Sequence, residues 1–195
     1  MNRVGRSLAA LAAFLLFALS SPAIRASSVL PLDIDQIVTG ATHVAHVRCV
    51  GNEVQSDPIA GVVTVTTFEV LERVKGNSGR TFILRQAGGE LNGMKVNYHV
   101  PQFNAGDQYV LFVPASSSAG LASPVGLSQG VFDVVAGSNG IEVGNGRDFA
   151  ELLANVDATT LPKGVLAKLQ KSSKERTRIG FADFMTLVRT KAGAR

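Results

Sequence analysis

The sequence predicts a mainly β fold, a single antiparallel barrel with a short N-terminal helix and a helical C-terminal tail. Three stretches carry that expectation. Residues 62–90, VVTVTTFEVLERVKGNSGRTFILRQAGGE, read as two strands joined by a short turn. Residues 108–113, QYVLFV, are apolar almost throughout, the pattern of a strand buried on both faces. Beyond Gly146 the alternating pattern gives way to helical spacing, with an apolar stripe near the C-terminus.

In chain order, Arg3 and Arg6 precede an uncharged apolar run of 12 residues from Leu8 to Leu19, followed by small residues and Pro22. That is the layout of a secretory signal peptide, and the run is short of the roughly 20 residues needed to span a bilayer. Cleavage after Ala23 or Ala26 satisfies the small-residue rule. We therefore assign residues 1–26 as signal peptide, with no retained transmembrane segment, and expect the protein to be exported, periplasmic or extracellular. Residues 27–145 are expected to form the β domain and 146–195 a helical tail packed on it.

Residues 32–41 (LDIDQIVTGA) place Leu32, Ile34, Ile37, Val38 and Ala41 near helical spacing, with Asp33 and Asp35 where a helix start favours acids. Residues 44–54 form the first long strand, ended by Ser56, Asp57 and Pro58. In the first arm of the central hairpin, Val62, Thr64, Thr66, Phe68, Val70 and Val74 share one face, and Thr67, Glu69, Arg73 and Lys75 the other. Gly76, Asn77, Ser78 and Gly79 supply the turn, and Phe82 and Leu84 alternate with Thr81, Ile83 and Arg85 on the return. MKVNYHV, residues 121–128, 131–136 and 141–143 are further strand candidates, the last two joined by a tight turn at Ser138, Asn139 and Gly140. Asp148 with Glu151 caps the helix FAELLAN, and residues 164–171 and 181–191 are further helices. In the last, Phe181, Phe184, Leu187 and Val188 make the apolar stripe.

Without the leader, sixteen basic residues face fifteen acidic ones, but unevenly. Residues 163–195 hold nine basic and two acidic side chains, so the body carries a net charge of about −6. An acidic body argues against a nucleic-acid groove, which needs clustered Lys and Arg. Cys49 is the only cysteine, so no internal disulfide forms, and its place in an apolar strand predicts a buried thiol.

Several constellations invite chemistry. Gly126, Ser128 and Gly130 match G-x-S-x-G, yet a strand pattern follows instead of a helix, and His43, His46 and His99 all precede Ser128. A histidine, Asp107 and Ser128 could formally make a triad. His43 and His46 have a chelating spacing on a helix, but on a strand they point to opposite faces. Asp33 and Asp35 fit a helix start better than a calcium site. We expect no metal and no cofactor. Arg85, Gln86, Gly88, Gly89, Glu90 and Gln129 stand out as a candidate binding set, because paired glycines let backbone approach another strand or a ligand closely.

The segments ATHVAHVRCV, TTFEVLERVKG, TFILRQAGGE, VPQFNAGDQYVLFV and VGLSQGVFDV resemble, in order and spacing, a group of small bacterial secreted proteins described alongside matrixin-type metalloproteases. The resemblance covers about residues 32–135, and its most specific elements are residues 85–90 and 126–132. The long strand TTFEVLERVKG followed by GDQYVLFV is also similar to the netrin-like, OB-type barrel of the tissue inhibitors of metalloproteinases. This implies an OB or netrin-like barrel and a protein partner, a secreted metalloprotease among them. Those inhibitors set a disulfide-held N-terminal cysteine on the protease zinc. The mature chain has none, so that mechanism is not implied here. The reading is an exported, non-catalytic binding module that engages a protein through a barrel edge, with a small serine hydrolase using Ser128 as the alternative.

Overall fold

The computed structural model describes residues 30–138, 140–170 and 177–193. The expected signal peptide lies outside the described residues, as does Asn139 of the predicted tight turn. No described helix is long and apolar enough to cross a membrane.

The elements are α1 (Ile34–Gly40), β1 (His43–Asp57), β2 (Gly61–Lys75), β3 (Thr81–Ala87), β4 (Gly89–Leu91), β5 (Met94–Val96), β6 (Gln108–Val113), β7 (Val131–Gly137), β8 (Gly140–Gly144), α2 (Phe149–Leu152), α3 (Lys163–Gln170), β9 (Ile179–Gly180) and α4 (Phe181–Ala192). Seven strands form one antiparallel sheet in the order β3-β2-β1-β6-β7-β8-β9, and β4 pairs with β5 as a separate hairpin.

The helix expected at residues 32–41 forms because Asp33 closes a capping box. Gln36 N donates to Asp33 Oδ1 at 2.8 Å and Asp33 N donates to Gln36 Oε1 at 2.9 Å. The long hairpin also forms, and Val62, Thr64, Thr66 and Phe68 are buried along one face of β2. β1 runs three residues past the expected end, since its ladder with β2 continues to Asp57 opposite Gly61. Asp57 Oδ1 then accepts from Ile59 N and Ala60 N, both at 2.9 Å, and turns the chain. The pairing leaves Val74 and Leu71 of β2 and Val50 of β1 as extra residues, and such bulges bend a strand.

β6 divides two cores. Val110 and Phe112 join α1, α2 and α4 in one, with Ile37, Phe132, Phe149, Phe184 and Leu187. Tyr109, Leu111 and Val113 join Ala45, Val47, Cys49, Phe68, Leu84 and Phe103 in the other. In the second core Phe103 stacks edge-on against both Phe68 (5.0 Å) and Tyr109 (5.2 Å). Phe82 of β3 lines one cleft with Leu111 and Val113 of β6, although β2 and β1 lie between them in the sheet. In a flat sheet β3 and β6 would stand about 14 Å apart, so the sheet is strongly bent.

Two predicted strands differ. Residues 121–128 form a loop and a 3-10 turn, Leu127–Gly130, because Pro124 lacks a donor and Gly126 and Leu127 sit at φ 59° and 58°, which no strand accommodates. Strand pairing in MKVNYHV stops at Val96, and His99 at φ 56° ends the extended run. The helix after Asp148 is shorter than FAELLAN suggests, covering Phe149–Leu152.

The tail helix α4 packs through Phe184, Met185, Leu187 and Val188, all fully buried. The Phe184 ring lies 4.7 Å from Phe132 and 6.1 Å from Phe149. Around that seam, Arg189 grips Glu72 with two bonds of 2.7 and 2.9 Å, and Lys191 Nζ lies 3.0 Å from the Asp35 carboxylate. Removing a buried Phe costs about 3–5 kcal/mol, whereas an exposed ion pair is worth roughly 0–1 kcal/mol. Phe184→Ala should therefore lower the thermal midpoint far more than Arg189→Ala, at low and high salt alike. A larger loss for Arg189→Ala would show that charge, not ring packing, holds the tail.

Candidate functional site

The candidate residues 85–90 lie where β3 leaves the sheet and enters the β4–β5 hairpin. Arg85 is tied down on both sides. Its Nη2 donates to Asp57 Oδ2 at 2.7 Å, and its carbonyl accepts from Ala122 N at 2.9 Å. The turn amides of Ala60 and Ile59 hold the Asp57 carboxyl below the usual carboxylate range, with Arg85 adding to them.

Gly88 and Gly89 are required by close approach. A Cβ on Gly88 would lie 2.7 Å from Val96 O, and one on Gly89 would lie 2.7 Å from Val54 Cγ1 and 2.8 Å from Thr64 Oγ1. Both residues also have positive φ, 99° and 138°. Thr64 Oγ1 donates to Gly88 O at 2.7 Å, fixing β2 to the crossing. Glu90 is exposed on β4, opposite Lys95 of β5.

The two glutamines are both buried. Gln86 is only 2% exposed and its Nε2 is buried with no hydrogen-bond partner among the described residues; Gln129 is 8% exposed. Neither side chain offers contact surface, and the two do not share a site. Gln129 Oε1 accepts from Leu32 N at 2.7 Å and from Arg147 Nη1 at 2.9 Å, and its carbonyl accepts from Asn145 Nδ2 at 3.0 Å. It staples the entry to α1 onto the β6–β7 connection, while residues 85–90 bond to Asp57, Val62, Thr64 and Ala122. Long-range partners of this kind leave no trace in the local sequence.

Sequence reasoning missed the exposed apolar side chains at the hairpin. Met94 is 65% and Tyr98 56% exposed, and the Tyr98 ring lies beside Gly88, 3.3 Å from where a Cβ would stand. An aromatic and a methionine within the turn-rich run NGMKVNYH were the available signal.

Ser128 is exposed on the 3-10 turn, and β7 follows it directly. A nucleophile elbow needs a strand-to-helix turn. Its flanking glycines are explained by packing: a Cβ on Gly126 would lie 2.8 Å from Leu32 Cδ1, and one on Gly130 2.6 Å from Val125 O. His43 and His46 point to opposite faces of β1. The His43 ring lies 5.8 Å from Phe82, on the side of the second core. His46 Nε2 is 2.9 Å from Gln108 Oε1 and its ring 4.7 Å from Phe181 of the tail helix. Burial pushes the His46 pKa down and the Cys49 thiol up. Among the described residues, no three of His, Cys, Asp and Glu gather as a metal site would require.

Compared with known proteins, the chain matches no family model and no curated protein.

The geometry separates two kinds of substitution. Gln86→Met should leave stability within about 1 kcal/mol of the parent or raise it, because it removes a buried donor that has no partner. Gly89→Ala should cost about 1–3 kcal/mol or more, since it adds both backbone strain and a clash. Urea unfolding of the two variants checks this, and a large loss for Gln86→Met would reveal a partner for its amide.

Proposed function

We propose that the chain is an exported, non-catalytic binding module that recognises a protein partner through the end of β3 and the β4–β5 hairpin. The observation that carries this reading is the exposed Met94 on the β4–β5 hairpin and the exposed Tyr98 just beyond it, beside a crossing whose backbone is fixed by Gly88, Gly89 and Thr64. Aromatic and Met side chains are enriched at protein interfaces, and a rigid support lowers the entropy lost on binding. Arg85 and Glu90 add a polar rim beside them. Export rests on the leader-like N-terminal sequence.

The bent sheet further supports an OB or netrin-like barrel. β3 and β6 approach across the second core, and the segment after β6 returns to bond the outer edge of β3 through Ala122 N and Arg85 O. With the sequence resemblance, this makes a secreted matrixin-type metalloprotease the first partner to try. Recognition would proceed by shape and hydrogen bonds, not by zinc chelation, because the Cys49 thiol is 1% exposed inside β1.

The experiment is a pull-down with such a protease, with and without its zinc, using the parent, Cys49→Ser and Glu90→Ala/Tyr98→Ala. Binding should survive metal removal and Cys49→Ser, and fall roughly 30-fold in the double variant, the scale of losing one aromatic anchor. Binding that vanishes with the zinc or with Cys49→Ser, and is unmoved by the double variant, defeats this reading.

A further inference from the structure

β1 is 15 residues long, but β6 covers only its first part. The β1–β6 ladder ends at Arg48, and Cys49 closes it by donating to Asp107 O and accepting from Gly106 N. From Gly51 to Asp57, β1 is paired only with β2 among the described residues.

The bonds on the far side of β2 show which peptide groups are left over. Val62 O accepts from Gly88 N, and Val70 N donates to Arg80 O, so the even-numbered residues of β2 turn their backbone polar groups toward β3. Their partners on β1 are Ser56, opposite Val62, Val54, opposite Thr64, and Asn52, opposite Thr66. These three therefore turn N–H and C=O away from β2, toward a side where no described strand pairs with them. The β5–β6 connection meets this edge at its start, where Asn52 Nδ2 donates to Phe103 O at 2.8 Å.

Beside the open edge lies a surface groove of about 270 Å³, lined by Val50, Gly51, Asn52, Glu53, Val65 and Thr67. The bulge turns Val50 outward, 60% exposed, and nothing lies within 4 Å of the position of a Gly51 Cβ. The edge sequence GNEVQSD holds no Lys and no Pro, which commonly blunt a sheet edge, and its two charged side chains are both acids. Asp57 is paired with Arg85, whereas Glu53 has no ion pair among the described residues. A second copy pairing here would bring a second Glu53 and no cation to balance it.

We infer that residues 51–57 of β1 receive an extended, basic segment of a partner protein by strand addition. The segment bonds to the peptide groups of Asn52, Val54 and Ser56, sets a Lys or Arg against Glu53, and leans an apolar side chain across Gly51 between Val50 and Val65. The inference rests on the reading of the chain as a protein-binding module, and assigns an edge separate from Tyr98.

The probe is a fluorescent, end-blocked heptapeptide, Thr-Val-Thr-Lys-Thr-Val-Thr, titrated by anisotropy up to millimolar concentration. Saturable binding should weaken roughly tenfold when Glu replaces the Lys, and equally in the Glu53→Lys and Ser56→Pro proteins, the equivalent of one or two net hydrogen bonds. N-methylation of alternate peptide amides should abolish binding in one register and spare it in the other, a control that leaves the protein untouched. Glu90→Ala/Tyr98→Ala should bind the peptide normally. Absence of saturable binding, equal tolerance of N-methylation in both registers, or indifference to Glu53→Lys overturns the inference. So does a dimer seen by sedimentation that Ser56→Pro dissociates, since the occupant is then a second copy. Loss of protease binding in the Tyr98 variant, with no effect of Glu53→Lys on any ligand, would leave the hairpin reading standing and this one refuted.

Discussion

The burial of β6 on both faces is the constraint from which the rest of the architecture follows. A strand carrying Tyr109, Leu111 and Val113 on one side and Val110 and Phe112 on the other needs two separate covers. Burying each such side chain contributes about 1.5–3 kcal/mol, and with a single cysteine there is no disulfide to substitute for it. The helical cover comes from both ends of the chain, α1 before the sheet and α4 after it, which Lys191 and Asp35 bring together. The other cover is the sheet itself, bent until β3 and the Phe103 loop close over β6. Bulges at Val50, Leu71 and Val74 sit on the two strands that make this bend.

What the sequence disclosed was the part that local periodicity encodes. The doubly apolar run at β6, the alternation in β2, the capping role of Asp33 and the stripe on α4 were all legible, because each depends on neighbours a few residues away. Residues 121–128 were misread as a strand because their apolar content hid Pro124 and the two left-handed residues after it. The candidate site was legible in its glycines and less so in its glutamines. Gly88 and Gly89 do mark a close crossing, whereas Gln86 and Gln129, grouped with them as binding candidates, are interior. Gln129 is polar because it accepts from Leu32, 97 residues away, and from Arg147. No local pattern reports such a bond.

The second core grades from apolar to polar along its length. At the β6 end it is built of Ala45, Val47, Leu111 and Phe82; toward the β4–β5 crossing the same face of β2 carries Thr66 and Thr64, and β3 carries Gln86. Thr66 Oγ1 donates to Asn52 Oδ1 at 2.7 Å and Thr64 Oγ1 to Gly88 O, so the hydroxyls are satisfied. Gln86 Nε2 has no partner among the described residues, and an unmatched buried amide costs about 1–3 kcal/mol. The polar end pins backbone at the cost of packing energy, which suits a place where a hairpin must hold a fixed position while its side chains remain exposed.

Mismatched strand lengths then decide where the molecule has unused backbone. β1 and β2 each run 15 residues, but β3 has seven and β6 six, so neither neighbour can cover its long partner to the end. On the β3 side Gly88 N extends the pairing to Val62 O and Arg80 O extends it to Val70 N, and β4 crosses close to Val54 and Thr64. On the β6 side the β5–β6 connection reaches the edge through a side-chain bond at Asn52, and the peptide groups of Val54 and Ser56 go on facing outward. The asymmetry originates in the Cys49–Gly106–Asp107 contact. Gly106 at φ 91° and Asp107 make the turn that starts β6 level with Arg48, and a strand that starts there has no residues left to cover the far half of β1.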